Sequence, residues 1–228
     1  MSISTTLKLI PFIASIGLYF TQFIPEHIPS LWATIVKCLP ILSLALFTVL
    51  HEGFTSKTKL NRKIFTALLF SCVGDACLLW PEYFLHGVVA FGVAQIIFIV
   101  AAGFESLNMK IGLVLFPYAN TVLYLVGPGV MSEPPLLAAS VFLYSPILFG
   151  RVWLTWSKLF RNSPNWTTIF GAIGSFAFLV SDSYLSLNRF YVPLPYHQEI
   201  VMLTYYLAQS AVALTVLYQP TDKIKKRK

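Results

Sequence analysis

Two aspartates lie inside long apolar runs of this sequence, where an ionisable side chain is costly. Asp75 lies in the run 64–80 and Asp182 in the run 166–187. A charged group within an apolar segment long enough to cross a membrane is a functional candidate by default. Paired carboxyl groups can divide catalysis between a proton donor and a carboxylate that stabilises positive charge and directs water. The pattern therefore predicts acid–base chemistry by Asp75 and Asp182.

Lys37 is the basic candidate for the same site, one or two turns into the apolar run 31–50. At 1.5 Å per residue, Asp75 and Asp182 lie about 17 and about 24 Å along their runs. The run with Lys37 enters from the opposite side, so all three side chains reach a similar depth. Lys37 could keep one aspartate ionised or hold a substrate anion. A purely structural link between Lys37 and an aspartate is the alternative.

Polar and aromatic residues of other runs complete the candidate site. The substrate-binding candidates are His86, Asn120, Tyr124, Tyr205, Tyr206 and Gln209. Buried polar groups need hydrogen-bond partners, which these side chains could supply to the aspartates or to a substrate. Interhelical hydrogen bonding is the alternative for the tyrosines and Gln209, and residence at the membrane interface is the alternative for His86. Three further ionisable residues lie nearer the ends of runs: Glu82, Arg151 and Glu199.

The elements that position these residues are predicted to be membrane helices. Of 228 residues, 57% are hydrophobic and 11% are charged, and the mean hydropathy is +0.73; soluble domains average about 45–50% apolar and about 25% charged residues. Eight apolar runs occur: 7–24, 31–50, 64–80, 84–104, 111–127, 135–157, 166–187 and 200–218. Each span takes about 20 residues, so only short loops and tails remain. We expect an all-α fold, a single integral membrane domain over 1–228 with about eight transmembrane helices.

Proline and glycine predict the loops between these helices. Residues 127–129, with Pro134 and Pro135, predict a tight loop after the fifth helix, and residues 188–197 predict a loop before the eighth. The runs are not short alternating strands, so we do not expect a barrel. No clear small-residue cleavage site follows the first run, which we interpret as a retained helix rather than a signal peptide.

The distribution of basic residues predicts the topology. Of the 16 Lys and Arg residues, 13 fall on one side of the predicted bundle, in the N-terminal segment, three loops and the basic tail 219–228. This asymmetry in short loops predicts that both termini are cytoplasmic. The net charge of +7 therefore indicates contact with membrane lipids, and we expect no nucleic-acid partner. The final four residues, Lys225 to Lys228, resemble a dilysine retrieval signal of the endoplasmic reticulum; a topology determinant that contacts lipid is the alternative.

No cofactor or metal is expected from the sequence. The three cysteines, Cys38, Cys72 and Cys77, all lie in apolar runs. They provide no disulfide framework, and no Cys/His set has zinc-ligand spacing. We expect each cysteine to pack as a small hydrophobic side chain.

Ordered motifs carry a family resemblance. They are Ser71-Cys-Val-Gly74-Asp75 with Phe84-Leu-His86-Gly87, Phe91 and Gln95; Gly171-Ala172, Phe176, Ser181-Asp182 and Asn188-Arg189-Phe190; and Pro193 to Tyr196 with Thr204-Tyr205-Tyr206-Leu-Ala208-Gln209. The first two sets resemble the YhhN lysoplasmalogenase family. The third, with Lys37-Cys38-Leu39-Pro40, looks like its animal branch, transmembrane protein 86, and the resemblance spans about 31–217. Gln95 replaces a frequent His and Phe98 a frequent Tyr, which weakens any role for these two groups on the fourth helix.

The resemblance implies hydrolysis of lysoplasmalogens, lysophospholipids with a vinyl ether at the first glycerol carbon. The products are a fatty aldehyde and glycerophosphoethanolamine or glycerophosphocholine. This reaction needs a proton donor for the β carbon and a carboxylate that stabilises the resulting cation, roles that suit the two aspartates. The hydrophobic bundle would hold the alkenyl chain, and the implied partners are this lysophospholipid and membrane lipids.

Two alternatives to an enzyme remain open at this point. Intramembrane carboxylates with a lysine also form proton relays, which would suit a membrane transporter or proton-coupled carrier. A noncatalytic lysolipid-binding protein of the same fold is the other. The sequence leaves open the head-group preference, the oligomeric state and which aspartate is the acid.

Overall fold

The computed structural model describes residues 3–22, 24, 29–52, 59–104, 107–161 and 164–218. This part of the chain forms eight α-helices and no strand, which confirms the all-α prediction. The helices are α1 Ile3–Gln22, α2 Leu31–Glu52, α3 Lys59–Leu78, α4 Phe84–Ala102, α5 Met109–Met131, α6 Pro135–Arg161, α7 Trp166–Phe190 and α8 His197–Leu214. Short 3-10 turns, Pro81–Tyr83 and Thr215–Tyr218, precede α4 and extend α8. Pro25, Lys57 and the basic tail 219–228 lie outside the described residues.

The predicted loop at 127–129 is wrong, because α5 continues through it to Met131. Proline removes one backbone donor, and a helix can tolerate that loss where packing holds it. Gly129 supplies the packing: its missing side chain lets α5 approach the backbone carbonyl of Phe190 on α7. Helix α7 likewise runs to Phe190 and α8 begins at His197, so the loop between them is shorter than predicted.

Six helices of the described chain are long and apolar enough to cross a membrane: α2, α4, α5, α6, α7 and α8. The apolar segments of α4 and α8 include the adjoining 3-10 turns, and that of α2 ends at His51. Large apolar side chains also face outward, as on α5, where Leu113, Val114 and Phe116 are largely exposed. An outward apolar surface around a helical bundle is what contact with lipid requires. The protein is therefore an integral membrane protein.

The core lies where α2, α3, α4, α6, α7 and α8 meet, with α1 against α2 and α5 against α6 and α7. Glycines allow the closest approaches: a Cβ at Gly174 would lie 2.7 Å from Val212 Cγ2, and one at Gly74 would lie 2.6 Å from the Phe91 ring. Small residues at such contacts let membrane helices pack closely. This close packing brings polar side chains of six different helices into the interior.

Candidate active site

The first polar cluster surrounds Asp75, which is 2% exposed on α3. The hydroxyl of Tyr205, on α8, donates a hydrogen bond to Asp75 Oδ2 at 2.6 Å. The next residue, Tyr206, donates to the backbone carbonyl of Lys37 at 3.0 Å and so joins α8 to α2. We call Asp75, Lys37, Tyr205, Tyr206 and Gln209 the Asp75 cluster.

Lys37 lies in the same part of the bundle as Asp75. Its side chain is 5% exposed, and the charges of Lys37 and Asp75 both act on the Cys38 thiol. That thiol donates to the carbonyl of Cys72 on α3 at 3.5 Å. The structure therefore brings together a buried base and a buried carboxyl group predicted from the sequence, which allows Lys37 to balance the charge of Asp75.

Two side chains beside Asp75 have hydrogen-bonding capacity that no described residue uses. Gln209 is fully buried, and neither atom of its amide has a partner; the amide lies near the Tyr205 hydroxyl without hydrogen-bond geometry. Ser71 Oγ, one turn before Asp75 on α3, is buried and also without a partner. Buried polar atoms without partners are costly, so they mark places where water or a ligand can bind.

The second polar cluster surrounds Asp182, which is partly buried on α7. The hydroxyl of Tyr144, on α6, donates to Asp182 Oδ2. Arg151, seven residues further along α6, donates to Gln95 Oε1 on α4, and its charge acts on both Tyr144 and Asp182. We call Asp182, Tyr144, Gln95 and Arg151 the Asp182 cluster.

Aromatic rings lie between the two clusters. Phe91 and Phe178 stack edge to face at 5.9 Å, and their ring centroids lie 5.9 and 5.6 Å from that of Tyr205. On the Asp182 side, Phe91 lines a cavity shared with Asp182, and the Arg151 guanidinium lies 5.5 Å from the Phe178 ring centroid. The aspartates thus form two Asp–Tyr pairs separated by an aromatic layer, rather than one carboxyl dyad.

Asp182 borders a cavity of about 40 Å³, enough for at least one water molecule. Tyr144, Ser186 and Phe91 also line it. Asp182 Oδ2 accepts a hydrogen bond from Tyr144, while Oδ1 receives no hydrogen bond from the described residues. A carboxyl group in this setting can exchange a proton with a molecule in the cavity.

Three predicted site residues lie on the outer surface, apart from both clusters. His86 is exposed and packs against the Tyr83 ring at 5.8 Å. Tyr124 is 81% exposed on α5. The amide of Asn120 donates to the carbonyl of Phe116 within α5 at 2.7 Å, although its side chain also lines an apolar crevice between α5 and α6.

The sequence reasoning missed Tyr144 and gave Arg151 and Gln95 no site role. A signal was present on α6, because Tyr144, Arg151, Thr155 and Lys158 recur at seven-, four- and three-residue steps and so share one face. A polar stripe through an apolar helix marks its interior face. Within the described residues, no group of three or more His, Cys, Asp or Glu side chains could hold a metal ion.

Comparisons with known proteins cover most of the chain. The YhhN family model matches residues 32–216. Lysoplasmalogenase TMEM86A of Homo sapiens is 34% identical over 215 residues, which cover 92% of this chain and 88% of that protein. Lysoplasmalogenase TMEM86B of Sus scrofa is 35% identical over 217 residues, covering 93% and 88% of the two chains. No solved structure matches with comparable significance.

Proposed function

Because the chain belongs to the YhhN family, we propose that it is a lysoplasmalogenase that hydrolyses the vinyl ether bond of lysoplasmalogens. The observation that carries this proposal is the 34% identity, over 92% of the chain, to a human protein of that activity. The products are a fatty aldehyde and glycerophosphoethanolamine or glycerophosphocholine. We assign the acid–base groups that the reaction needs to the two Asp–Tyr pairs.

The reaction begins with transfer of a proton to the β carbon of the vinyl ether. The double bond supplies the electron pair, and an oxocarbenium ion forms at the carbon that carries the ether oxygen. Water adds to that carbon and loses a proton to a base. The hemiacetal then collapses, with the glycerol oxygen leaving as a hydroxyl and the former alkenyl carbon becoming the aldehyde. An enzyme therefore needs an acid, a base for water and stabilisation of a cation.

Asp182 is our candidate for the proton donor and, after the transfer, for the base. It borders the 40 Å³ cavity, and its Oδ1 is free of hydrogen bonds from the described residues. Tyr144 holds Oδ2 and so fixes the direction of the carboxyl group. A positioned acid of this kind is worth about 100- to 10,000-fold in rate.

Asp75 is our candidate for the carboxylate that stabilises the cation. Tyr205 donates to it, Lys37 lies in the same cluster, and the apolar aromatic layer between Asp75 and the cavity weakens the field of a charge less than water would. Phe91 and Phe178 add the attraction of their π faces for a cation. In this assignment Lys37 and Tyr206 position Asp75, and Gln209 offers its unused amide to water or to the substrate.

The three outer candidates have roles at the lipid surface in this proposal. Asn120 lines a crevice of about 460 Å³ between α5 and α6, whose other walls are largely apolar. Such a crevice suits an alkyl chain. Tyr124, on the same helix, and His86, near the start of α4, lie where they would contact lipid head groups or chains rather than the reacting atoms.

We further propose that all eight helices cross the endoplasmic reticulum membrane, with both termini in the cytoplasm. Helix α3 contains Lys59, Arg62, Lys63 and Asp75. The three basic residues lie in its first two turns, where a cytoplasmic interface would solvate them, and Asp75 is hydrogen-bonded. A reporter fused after Lys228 should be cytoplasmic, and one inserted between Ser132 and Glu133 should be lumenal. A lumenal C-terminal reporter would contradict this topology.

Aldehyde release tests the proposed activity directly. Purified protein in detergent should release fatty aldehyde from lysoplasmenylethanolamine or lysoplasmenylcholine. The matched control is the saturated 1-O-alkyl lysophospholipid, which has no double bond to protonate and should bind without turnover. Folded protein that binds this analogue but releases no aldehyde from the vinyl ether would be a lipid-binding protein or a carrier.

A further inference from the structure

Arg151 is a buried cation that forms no direct ion pair in the described part of the chain, and the Asp182 carboxyl acts on it only from a longer distance. It is 2% exposed in the middle of α6, and none of the described carboxylates lies within ion-pair distance. Its described contacts are the Gln95 amide oxygen and the rings of Phe98 and Phe178, at 4.4 and 5.5 Å from their centroids. One neutral acceptor and two rings leave most of the five guanidinium donors unused. A buried guanidinium with unused donors and no direct ion pair is suited to bind an anionic ligand.

A cavity of about 100 Å³ adjoins Arg151, with room for an anionic group. The α6 side of this cavity consists of Arg151, Thr155 and Lys158. Thr167 and Thr168, at the start of α7, and Thr215, after α8, add hydroxyl groups. The hydroxyls of Thr155, Thr168 and Thr215 donate to backbone carbonyls, so they make the wall polar without acting as donors to a ligand. The cations suited to the oxygens of a phosphate are Arg151 and Lys158, whose ammonium group also donates to the Ala102 carbonyl.

The position of Arg151 matches the dimensions of the proposed substrate. Arg151 and Tyr144 are seven residues apart on α6, which corresponds to about 10 Å along the helix. In a lysoplasmalogen, the phosphorus and the vinyl ether carbons are separated by roughly 8 Å at ordinary bond lengths. A phosphate at Arg151 would therefore place the vinyl ether beside the Tyr144–Asp182 pair.

Gln95 lies between these two points and offers a further contact. Its Oε1 accepts from Arg151, and its side chain lies near the Tyr144 hydroxyl. Its Nε2 is buried and has no partner among the described residues. A glycerol hydroxyl or ether oxygen between the phosphate and the vinyl ether would satisfy this donor.

We propose that the cavity bounded by Arg151 and Lys158 binds the phosphate of the lysophospholipid substrate. The proposal rests on the proposed lysoplasmalogenase function, and it assigns the phosphate to Arg151 rather than to Lys37, the candidate named by the sequence. In this proposal Lys37 balances the charge of Asp75. Since the cavity lies where α3 and α7 begin and where α4 and α6 end, the head group enters from that end of the bundle.

Ligand-dependent thermal stabilisation of the purified protein in detergent tests this site without relying on turnover. The two probes are a saturated 1-O-alkyl lysophosphoethanolamine and the matching 1-O-alkylglycerol, which lacks the phosphate. Wild-type protein should bind the phosphate-bearing probe at least tenfold more tightly. Arg151→Met should remove most of this preference, a loss of about 10- to 100-fold, because a charge-assisted hydrogen-bond pair is lost. Lys37→Met, the matched control, should retain the preference.

A second pair of variants keeps the proposal falsifiable if Arg151→Met does not fold. A Cβ at Gly171, on the cavity wall, would meet no atom within 4 Å. Gly171→Leu should therefore fold but fill the cavity and weaken phosphate-bearing probe binding about tenfold, with alkylglycerol binding unchanged, while Gly171→Ala should bind both probes normally. An unchanged preference in folded Gly171→Leu would overturn the site, and so would an unchanged preference in Arg151→Met if that variant folds.

Inorganic phosphate distinguishes a lipid site from a free-phosphate site. Inorganic phosphate should compete with the lipid probe only weakly, since it lacks the alkyl chain. If it stabilises the wild type strongly while the two ether probes bind equally well, the cavity is a free-phosphate site and the proposal is wrong. Loss of the phosphate preference in Arg151→Met or Gly171→Leu, with aldehyde release by the wild type, would support the site. If the wild type shows the phosphate preference but releases no aldehyde, only the proposed activity is wrong.

Discussion

The Asp75 and Asp182 clusters contain the same hydrogen-bonded pair in different surroundings. In each, a tyrosine from a neighbouring helix donates to one carboxyl oxygen. Asp75 is sealed in the core, with Lys37 nearby and Tyr206 holding the adjacent backbone. Asp182 is partly buried and borders a cavity. The two aspartates therefore differ in accessibility. Asp182 can contact the substrate, whereas Asp75 can act on it only through its charge.

The largest expected effect is that of Asp182→Asn. Asparagine keeps the shape of the side chain but cannot donate a carboxylic proton or carry charge. We expect kcat to fall by at least about 100-fold, the usual contribution of a positioned acid. Aldehyde release from a lysoplasmalogen measures this, and binding of the saturated ether analogue should persist. Wild-type turnover by the folded variant would remove Asp182 from catalysis.

Asp75→Asn should have the next largest effect, a loss in kcat of about 10- to 100-fold, because a stabilising charge is lost without loss of the acid. The double variant should be little slower than Asp182→Asn alone, since residues that act as a unit are not additive. A double variant slower by the full product of the two single effects would show that the aspartates act independently. Unimpaired turnover in folded Asp75→Asn would make its cluster structural.

The tyrosines allow a matched comparison of the two clusters. Tyr205→Phe removes one hydrogen bond to the sealed Asp75 carboxyl group, which should lower the free energy of unfolding by about 1.5–3 kcal/mol. Tyr144→Phe should be less destabilising, because water from the cavity can reach Asp182, but kcat should fall about tenfold as the carboxyl group loses its fixed direction. Thermal unfolding and aldehyde release measure the two effects. The reverse pattern would contradict the assignment of roles.

The sequence predicted the helices and the Asp75 cluster better than it predicted the Asp182 cluster. Apolar runs and breakers are local signals, so all eight helices were found in order, although packing at Gly129 and Phe190 moved the end of α5. Tyr205, Tyr206 and Gln209 stood out because their polarity interrupts an apolar run. Tyr144 did not, because Arg151 and Thr155, the polar residues on the same face of α6, follow it only two turns later.

The separation of the two aspartates could not be read from the sequence at all. Similar depth along two helices suggested one shared site, but the rotation of each helix decides what lies between them. That rotation depends on contacts such as Gly74 with Phe91, which hold a ring at the boundary. Asn120 and Tyr124 illustrate the same limit, because α5 packs at the periphery and turns much of its polar face outward.

The smallest expected effects come from two glycine variants that probe the aromatic layer. At Gly74, an added Cβ would lie 2.6 Å from Phe91 Cδ2 and Cε2, so Gly74→Ala must displace the ring that separates the clusters. Overpacking of this kind costs about 1–3 kcal/mol in stability, and we expect a modest loss of kcat with it. Gly171→Ala meets open space and should be neutral or stabilising by up to about 1 kcal/mol, because alanine is the better helix former. Thermal unfolding of both variants in the same detergent gives the comparison; equal stability would show that the Phe91 ring shifts freely and does not keep the two aspartates apart.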